Sequence, residues 1–385
     1  MTAVYLDYNG SAPLDPRVAE AMAEVLASAV GNASSAHSYG AAQRRRVDLA
    51  REQVAAAVGR GTGDVVFTAG ATEANNLALS GLVNARSSSR RRVVVSAVEH
   101  SSVRQTARWL ADEGVAKVDV VPVTAGGYVD LDALDDLLAD DVLVVSVMLA
   151  NSETGVINDV GAVAELAHRH GALVHTDATQ AVGRIDTAMA ALEADLLSLS
   201  GHKICGPGGV GALLASASAR RQMVPVIHGG GHERRLRSGS LNVSGIVGFG
   251  LAAELAGSEW QLEAARVSEL RDELVALITA GVGDAEQNGD VTRRLPNTAN
   301  LLFRGADAEA LVANLDPVAV SAGSACSSGA PEPSPVLVAM GLNRAEAAES
   351  LRFSLGRFTT EHDVKTAAAR TIDAVRFVRS MNEDA

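Results

Sequence analysis

Residues 196–203 read Leu-Leu-Ser-Leu-Ser-Gly-His-Lys, an apolar run that stops abruptly at Ser200, Gly201, His202 and Lys203. An ammonium at the exit of a buried strand is costly, because burial disfavours the charged amine and lowers its pKa. The position makes chemical sense if the amine reacts. A partly desolvated lysine can form a Schiff base with an aldehyde cofactor, which makes pyridoxal phosphate the first hypothesis. A surface lysine after a strand is the plainer reading of the residue taken alone, so its neighbours decide.

Working upstream, strand-like apolar runs occupy 64–68, 92–98, 142–149 and 172–175, with helical spacing over 70–82 and 160–170 between them. Apolar strands separated by helices predict a parallel sheet covered on both faces, with ligands beyond the carboxyl ends of the strands. Each run hands over to polar residues there, so His100, Asn151, Asp177, Gln180 and Lys203 are expected to converge. Gly70, Ala71, Thr72 and Glu73 open the helix over 70–82 and offer free N–H groups suited to a phosphate; an ordinary helix capped by Thr72 is the equal alternative. Nearer the N-terminus, a short strand over 3–6 precedes turn residues, a helix over 17–29, a polar loop over 31–40 and a helix over 43–58.

Downstream, Gly-Pro-Gly-Gly-Val-Gly at 206–211 formally spells the dinucleotide-binding fingerprint, but a strand over 210–214 follows it where a helix is required. A nicotinamide dehydrogenase rests on nothing else. The stretch 228–240 is cationic and rich in hydroxyls; it suits a phosphate through Ser240, or is a solvated loop. Beyond 250, Leu255, Leu262, Leu270, Leu274 and Leu277 mark a long helix over 254–278. Strands over 299–303 and 318–321 and helices over 308–315, 334–340 and 361–379 follow. The chain therefore divides into an expected large cofactor-binding domain, 15–250, and a small α/β domain made of 1–14 and 251–385 that carries a cysteine loop, 321–335.

The 385 residues are 47% hydrophobic and carry a formal net charge of −13. The first figure provides a large core, and the second argues against nucleic acid or an anionic membrane surface as a partner. No basic and then apolar leader opens the chain and no apolar run approaches the length of a bilayer span, so a cytoplasmic location and no membrane contact are expected. Two cysteines make no disulfide framework. Cys205 follows Lys203 in a turn and reads as inert packing. Cys326 lies among serine, glycine and alanine residues that cannot pack a thiol, which suits a nucleophile once a neighbouring charge or base makes the thiolate. In Leu351-Arg352-Phe353, Arg352 points away from its apolar neighbours. It can clamp an amino-acid carboxylate by two parallel hydrogen bonds, or form an ion pair with one of the many acidic residues.

With these residues in place, the chain resembles the cysteine desulfurases of the class V aminotransferase group. The likeness rests on Tyr-Leu-Asp-Tyr at 5–8, Gly-Ala-Thr-Glu at 70–73, Glu-His at 99–100, Asn-Ser-Glu-Thr-Gly at 151–155, His-Thr-Asp-Ala-Thr-Gln at 175–180 and Ser-Gly-His-Lys at 200–203. It continues through His-Gly-Gly-Gly-His-Glu at 228–233, Arg-Ser-Gly-Ser at 237–240, Gly-Ser-Ala-Cys at 323–326 and Arg-Phe-Ser-Leu-Gly-Arg at 352–357. Ser240 stands where the family usually has threonine, and Asn9-Gly10-Ser11-Ala12 departs from its usual Ala-Thr-Thr or Ala-Thr-Ala.

The resemblance implies an α/β fold-type I pyridoxal-phosphate transferase, with a mainly parallel sheet in the large domain, that turns L-cysteine into L-alanine. It implies that Lys203 holds the cofactor and then serves as base, that Asp177 pairs with the pyridine nitrogen, and that His100 stacks on the ring and moves protons. Gln180 and Asn151 would bond the ring oxygen, Asn151 also lying near the substrate. Ala71, Thr72, Ser200, His202 and Ser240 would anchor the phosphate, Ser240 reaching across a homodimer to the partner's site. Arg352 would fix the substrate carboxylate, and Cys326 would take the sulfur as a persulfide. An acceptor such as an iron–sulfur scaffold or a tRNA-thiolation carrier would then receive it. No resident metal is implied, with Cys326 a candidate transient iron–sulfur ligand. Selenocysteine lysis, cysteine sulfinate desulfination, other class V chemistry and a cofactor-free regulator of a sulfur carrier are the alternatives, the last opposed by Lys203, Asp177 and His100 together.

Overall fold

The computed structural model describes residues 3–28, 30–85, 89–188, 193–323 and 333–383; Cys326 lies outside the described residues. Its strands are β1 (Val4–Tyr5), β2 (Val65–Thr68), β3 (Arg92–Ser96), β4 (Lys117–Val121), β5 (Val142–Ser146), β6 (Leu173–Asp177), β7 (Leu196–Ser200), β8 (Gly211–Ala215), β9 (Glu286–Gln287), β10 (Thr298–Leu302), β11 (Val318–Ala319) and β12 (Ser350–Ser354). Helices α1 (Pro16–Ser28), α2 (Ser38–Ala56), α3 (Ala71–Val83), α4 (Ser101–Asp112), α5 (Leu131–Leu137) and α6 (Val160–Arg169) alternate with them.

Seven strands form the main sheet in the order β2-β8-β7-β6-β5-β3-β4. Strands β7, β6, β5, β3 and β4 run parallel, whereas β8 is antiparallel to both β2 and β7. The glycine turn at 206–209 thus reverses the chain into β8 and opens no helix. The side chains explain the two covered faces. Leu197 and Leu199 of β7, with Ala212 and Leu214 of β8, enter a core shared with α1, α2 and α6. Leu196, Leu213 and Ala215 enter the opposite core, beneath α3 and α4.

A further core joins Val4 and Leu6 to β10, β12 and the C-terminal helix Glu361–Glu383. Here β10 lies between β12 and β9 in an antiparallel sheet, and β1 pairs with β11 in parallel. Both halves of the molecule share one element, a helix of 40 residues from Val243 to Val282. Its Ile246, Phe249 and Ala253 belong to the first core, and its Leu270, Leu274 and Ile278 to the core beside β10.

This helix begins eleven residues before the sequence places it and runs through Gly245, Gly248 and Gly250, all close-approach sites. A Cβ at Gly250 would lie 2.6 Å from the Cα of Ala50 on α2. Overpacking costs about 1–3 kcal/mol, which outweighs a helix-propensity gain of about 1 kcal/mol for alanine over glycine. The chemical denaturation midpoint of Gly250→Ala should therefore fall; an unchanged midpoint would mean that the two helices part freely. Among the described residues, no helix is long and apolar enough to cross a membrane.

Candidate active site

Parallel β3, β5, β6 and β7 deliver their following loops to one edge of the sheet, which the turn after β1 covers. Lys203 ends a short 3-10 turn, Gly201–Lys203, immediately after β7. Its ammonium donates to the carbonyls of Asn9 at 2.6 Å and Gly10 at 2.5 Å. Gln180 reaches the same Asn9 carbonyl through Nε2 at 3.0 Å, while its Oε1 accepts from Arg184. The segment that departs from the usual family motif is thus the resting place of the lysine amine.

Asp177 closes β6 with its carboxylate buried. One oxygen accepts from the Thr179 amide at 3.0 Å, the other from Asn75 Nδ2 at 2.7 Å. Both donors are neutral, and among the described residues Asp177 forms no ion pair. A buried carboxylate without a cation is costly, and the protonated nitrogen of a pyridine ring fits that need. His100 caps α4, its Nδ1 accepting from the Ser102 amide at 3.1 Å. Burial pushes the His100 pKa down, aided by Lys203 and Arg104 and opposed by Asp177.

At the phosphate end, α3 starts at Ala71 and its N-cap is Gly70, at φ 151°, with no side-chain cap. Thr72 stands inside the helix and does not cap it, so the first N–H groups stay open to an anion. A Cβ on Gly70 would come 3.8 Å from Ser200 Oγ, which places that hydroxyl beside the opening. His202 contacts Ser11 Oγ at 3.3 Å, and burial, followed by the nearby Lys203 charge, pushes its pKa down to about 4. Its imidazole is therefore neutral at physiological pH. Ser240 is exposed, three residues ahead of the long helix, and joins none of these contacts.

Arg352 is buried on β12 and forms the ion pair, the second of the two alternatives raised by its sequence. It pairs with Asp7 Oδ1 at 2.5 Å and donates to the Ser152 carbonyl at 3.1 Å, while its buried Nε has no partner among the described residues. Asn151 is engaged in its own loop. Its Oδ1 accepts from the amides of Glu153 and Thr154, and its Nδ2 donates to the Val98 carbonyl and to Met148 Sδ. A thioether is a weak acceptor, so the last of these is the bond most readily exchanged for a better oxygen. Cys205 is buried with Tyr8 and Ala12, and burial pushes its thiol up to about 11, well away from the thiolate.

Sequence reasoning passed over Asn75, Ser102 and Asp7. Asn75 sits three residues after Thr72 on α3, so helical spacing alone places it one turn behind the phosphate cup. Ser102 and Asp7 gave less signal. Their roles come from contacts with a histidine cap and with an arginine 345 residues away.

An uncapped helix start, a buried carboxylate and a lysine meet at one sheet edge and suit the cofactor of a fold-type I pyridoxal-phosphate enzyme, and the chain belongs to the aminotransferase class-V family, whose model matches residues 4–366. Within that family its relatives are specific. A cysteine desulfurase of Frankia sp. (strain EuIK1) is 43% identical, the match covering 99% of this chain and 93% of that protein. The cysteine desulfurase IscS of Salmonella arizonae is 42% identical, covering 97% and 92%. A solved structure of a NifS-like protein superposes with a TM-score of 0.91 at 33% identity, covering 98% of this chain and all of that one.

Proposed function

We propose that this chain is a pyridoxal-phosphate-dependent cysteine desulfurase that converts L-cysteine to L-alanine and passes the sulfur on through a persulfide on Cys326. The observation that carries the reading is the meeting of Lys203, Asp177 and His100 at one sheet edge, with Arg352 reaching the same N-terminal turn. Relatives above 40% identity over almost the whole chain are cysteine desulfurases.

Pyridoxal 5'-phosphate supplies an electron sink for bonds made and broken next to the substrate's alpha carbon. Lys203 would hold it through its amine, Asp177 would face its ring nitrogen, and His100 its ring. The open start of α3 at Ala71 and Thr72, with Ser200 and His202, would take the phosphate. Gln180 and Asn151 would reach the ring oxygen, Asn151 by giving up Met148 Sδ. Arg352 orients the substrate through its carboxylate, and the freed Lys203 amine takes the proton from the alpha carbon. The Cys326 thiolate then bonds to the substrate sulfur as the carbon–sulfur bond breaks. The electron pair of that bond stays with the beta carbon, which gains a proton, and the proton held by Lys203 returns to the alpha carbon, so that alanine leaves.

A homodimer completes the site, with Ser240 reaching the partner's phosphate from its exposed turn. The cytoplasm is the proposed location, and an iron–sulfur scaffold or tRNA-thiolation carrier the proposed acceptor. The core containing Val4, Leu6, β10 and β12 supports treating 1–14 and 251–385 as a small domain beside the large domain 15–250.

The purified protein is expected to show a cofactor absorption band in the near-visible that shifts on adding L-cysteine with a reductant, with alanine and sulfide appearing together. A shifting band without sulfide would move the reaction elsewhere in the family. No band, even after adding pyridoxal phosphate, would sink the enzyme reading.

A further inference from the structure

His100, Ser102, Asn75 and Asp177 form one continuous chain of hydrogen bonds, and the number of protons available fixes its direction. Asn75 is fully buried, and Nδ2 of its amide contacts both Asp177 Oδ2, at 2.7 Å, and Ser102 Oγ, at 2.8 Å. An ionised carboxylate only accepts. Turning the amide over would set its oxygen against the carboxylate, so Nδ2 has to face Asp177, and Asn75 Oδ1 is left buried without a partner among the described residues as the cost. Both amide hydrogens are then used, one of them on Ser102 Oγ. That hydroxyl has one hydrogen of its own, and His100 Nδ1 lies 2.8 Å away to receive it. The Ser102 amide, in the first turn of α4, donates to the same nitrogen at 3.1 Å.

We propose that Asn75 and Ser102 are positioning residues that fix His100 in the tautomer with its proton on Nε2, so that His100 faces the reacting groups as a neutral hydrogen-bond donor through that nitrogen. The inference deepens the proposed function, resting on His100 facing the reacting groups. A nitrogen that receives two donors cannot carry a hydrogen. A second proton on the ring would have to go to Nδ1, where the hydroxyl can rotate aside but the helix amide cannot. The charges around the imidazole are Asp177 on β6, Lys203 after β7 and Arg104 on α4. The first favours the doubly protonated ring, and the other two oppose it, as does burial. Asn75 also couples the two ends: the carboxylate that would face the cofactor nitrogen orients the hydroxyl that sets the histidine.

The test is long-range 1H–15N spectroscopy of histidine-labelled holoenzyme, with the His100 signals assigned by their loss in His100→Gln. The expected wild-type pattern places the hydrogen on Nε2 across the pH range in which a free histidine titrates. In Ser102→Ala one of the two donors is gone, and the midpoint for the second proton moves to higher pH. Ser102→Thr keeps the hydroxyl and restores the wild-type midpoint. In Asn75→Leu the Ser102 hydroxyl is free to turn away from Nδ1, and the midpoint moves to higher pH as in Ser102→Ala. A hydrogen on Nδ1 in the wild type would overturn the proposal, as would a Ser102→Ala titration that overlays the wild type. Should the variants fail to fold, the wild-type tautomer decides alone. These spectra do not depend on sulfide release, so loss of the desulfurase reading and loss of this one are separately visible.

Discussion

Lys203→Ala is expected to abolish turnover of L-cysteine and to remove the cofactor's covalent hold in the same stroke. A positioned general base is worth on the order of 10²–10⁴-fold, and this lysine also anchors the cofactor, so alanine release should fall by at least about 10³-fold. The fold should persist, because the amine's hydrogen bonds to the Asn9 and Gly10 carbonyls lie at the edge of the site. Lys203→Arg separates charge from chemistry. It keeps a cation for those carbonyls but has no amine to give, so circular dichroism should match the wild type while the characteristic absorption and the activity are both absent. Turnover in Lys203→Ala within tenfold of wild type would remove the lysine from the mechanism.

Cys326→Ala is the second large effect, and it should divide the cycle in two. Nothing about cofactor binding requires the thiol, so the absorption band should form and still shift when L-cysteine is added. The carbon–sulfur bond, however, then lacks the thiolate that accepts the sulfur, and alanine and sulfide should both fall below detection. Cys205 cannot substitute, being buried with a thiol pushed up to about 11. Full sulfide release from this variant would reassign the sulfur acceptor to the thiol of a second substrate molecule or to the reductant.

Much of this architecture is legible in the sequence because the strands are buried on both faces. Runs such as 92–96, 142–146 and 196–200 carry three or four apolar residues in five, and each ends where the polar chemistry begins. Strand direction is another matter. An apolar run looks the same whichever way it enters a sheet, so the antiparallel β8 is invisible until its neighbours are known. The long helix is understated for a related reason. Glycine weakens a helix locally, and only the approach of Ala50 and Met22 to Gly250 and Gly248 shows why it is used there. The side chains that support the site are harder still. Asn75 and Asp177 are 102 residues apart and Asp7 and Arg352 are 345 apart, so no local pattern ties them together.

The pairing of Arg352 with Asp7 bears on how the protein lives in a crowded solution of metabolites. On the proposed assignment the guanidinium leaves one carboxylate only to meet another, so the swap gains little from charge attraction alone. Affinity then has to come from the ligand's amine and sulfur, which a simple organic acid lacks. An internal carboxylate at the clamp thereby screens out the abundant background anions that an unguarded arginine would collect, leaving the site open to a scarce amino acid.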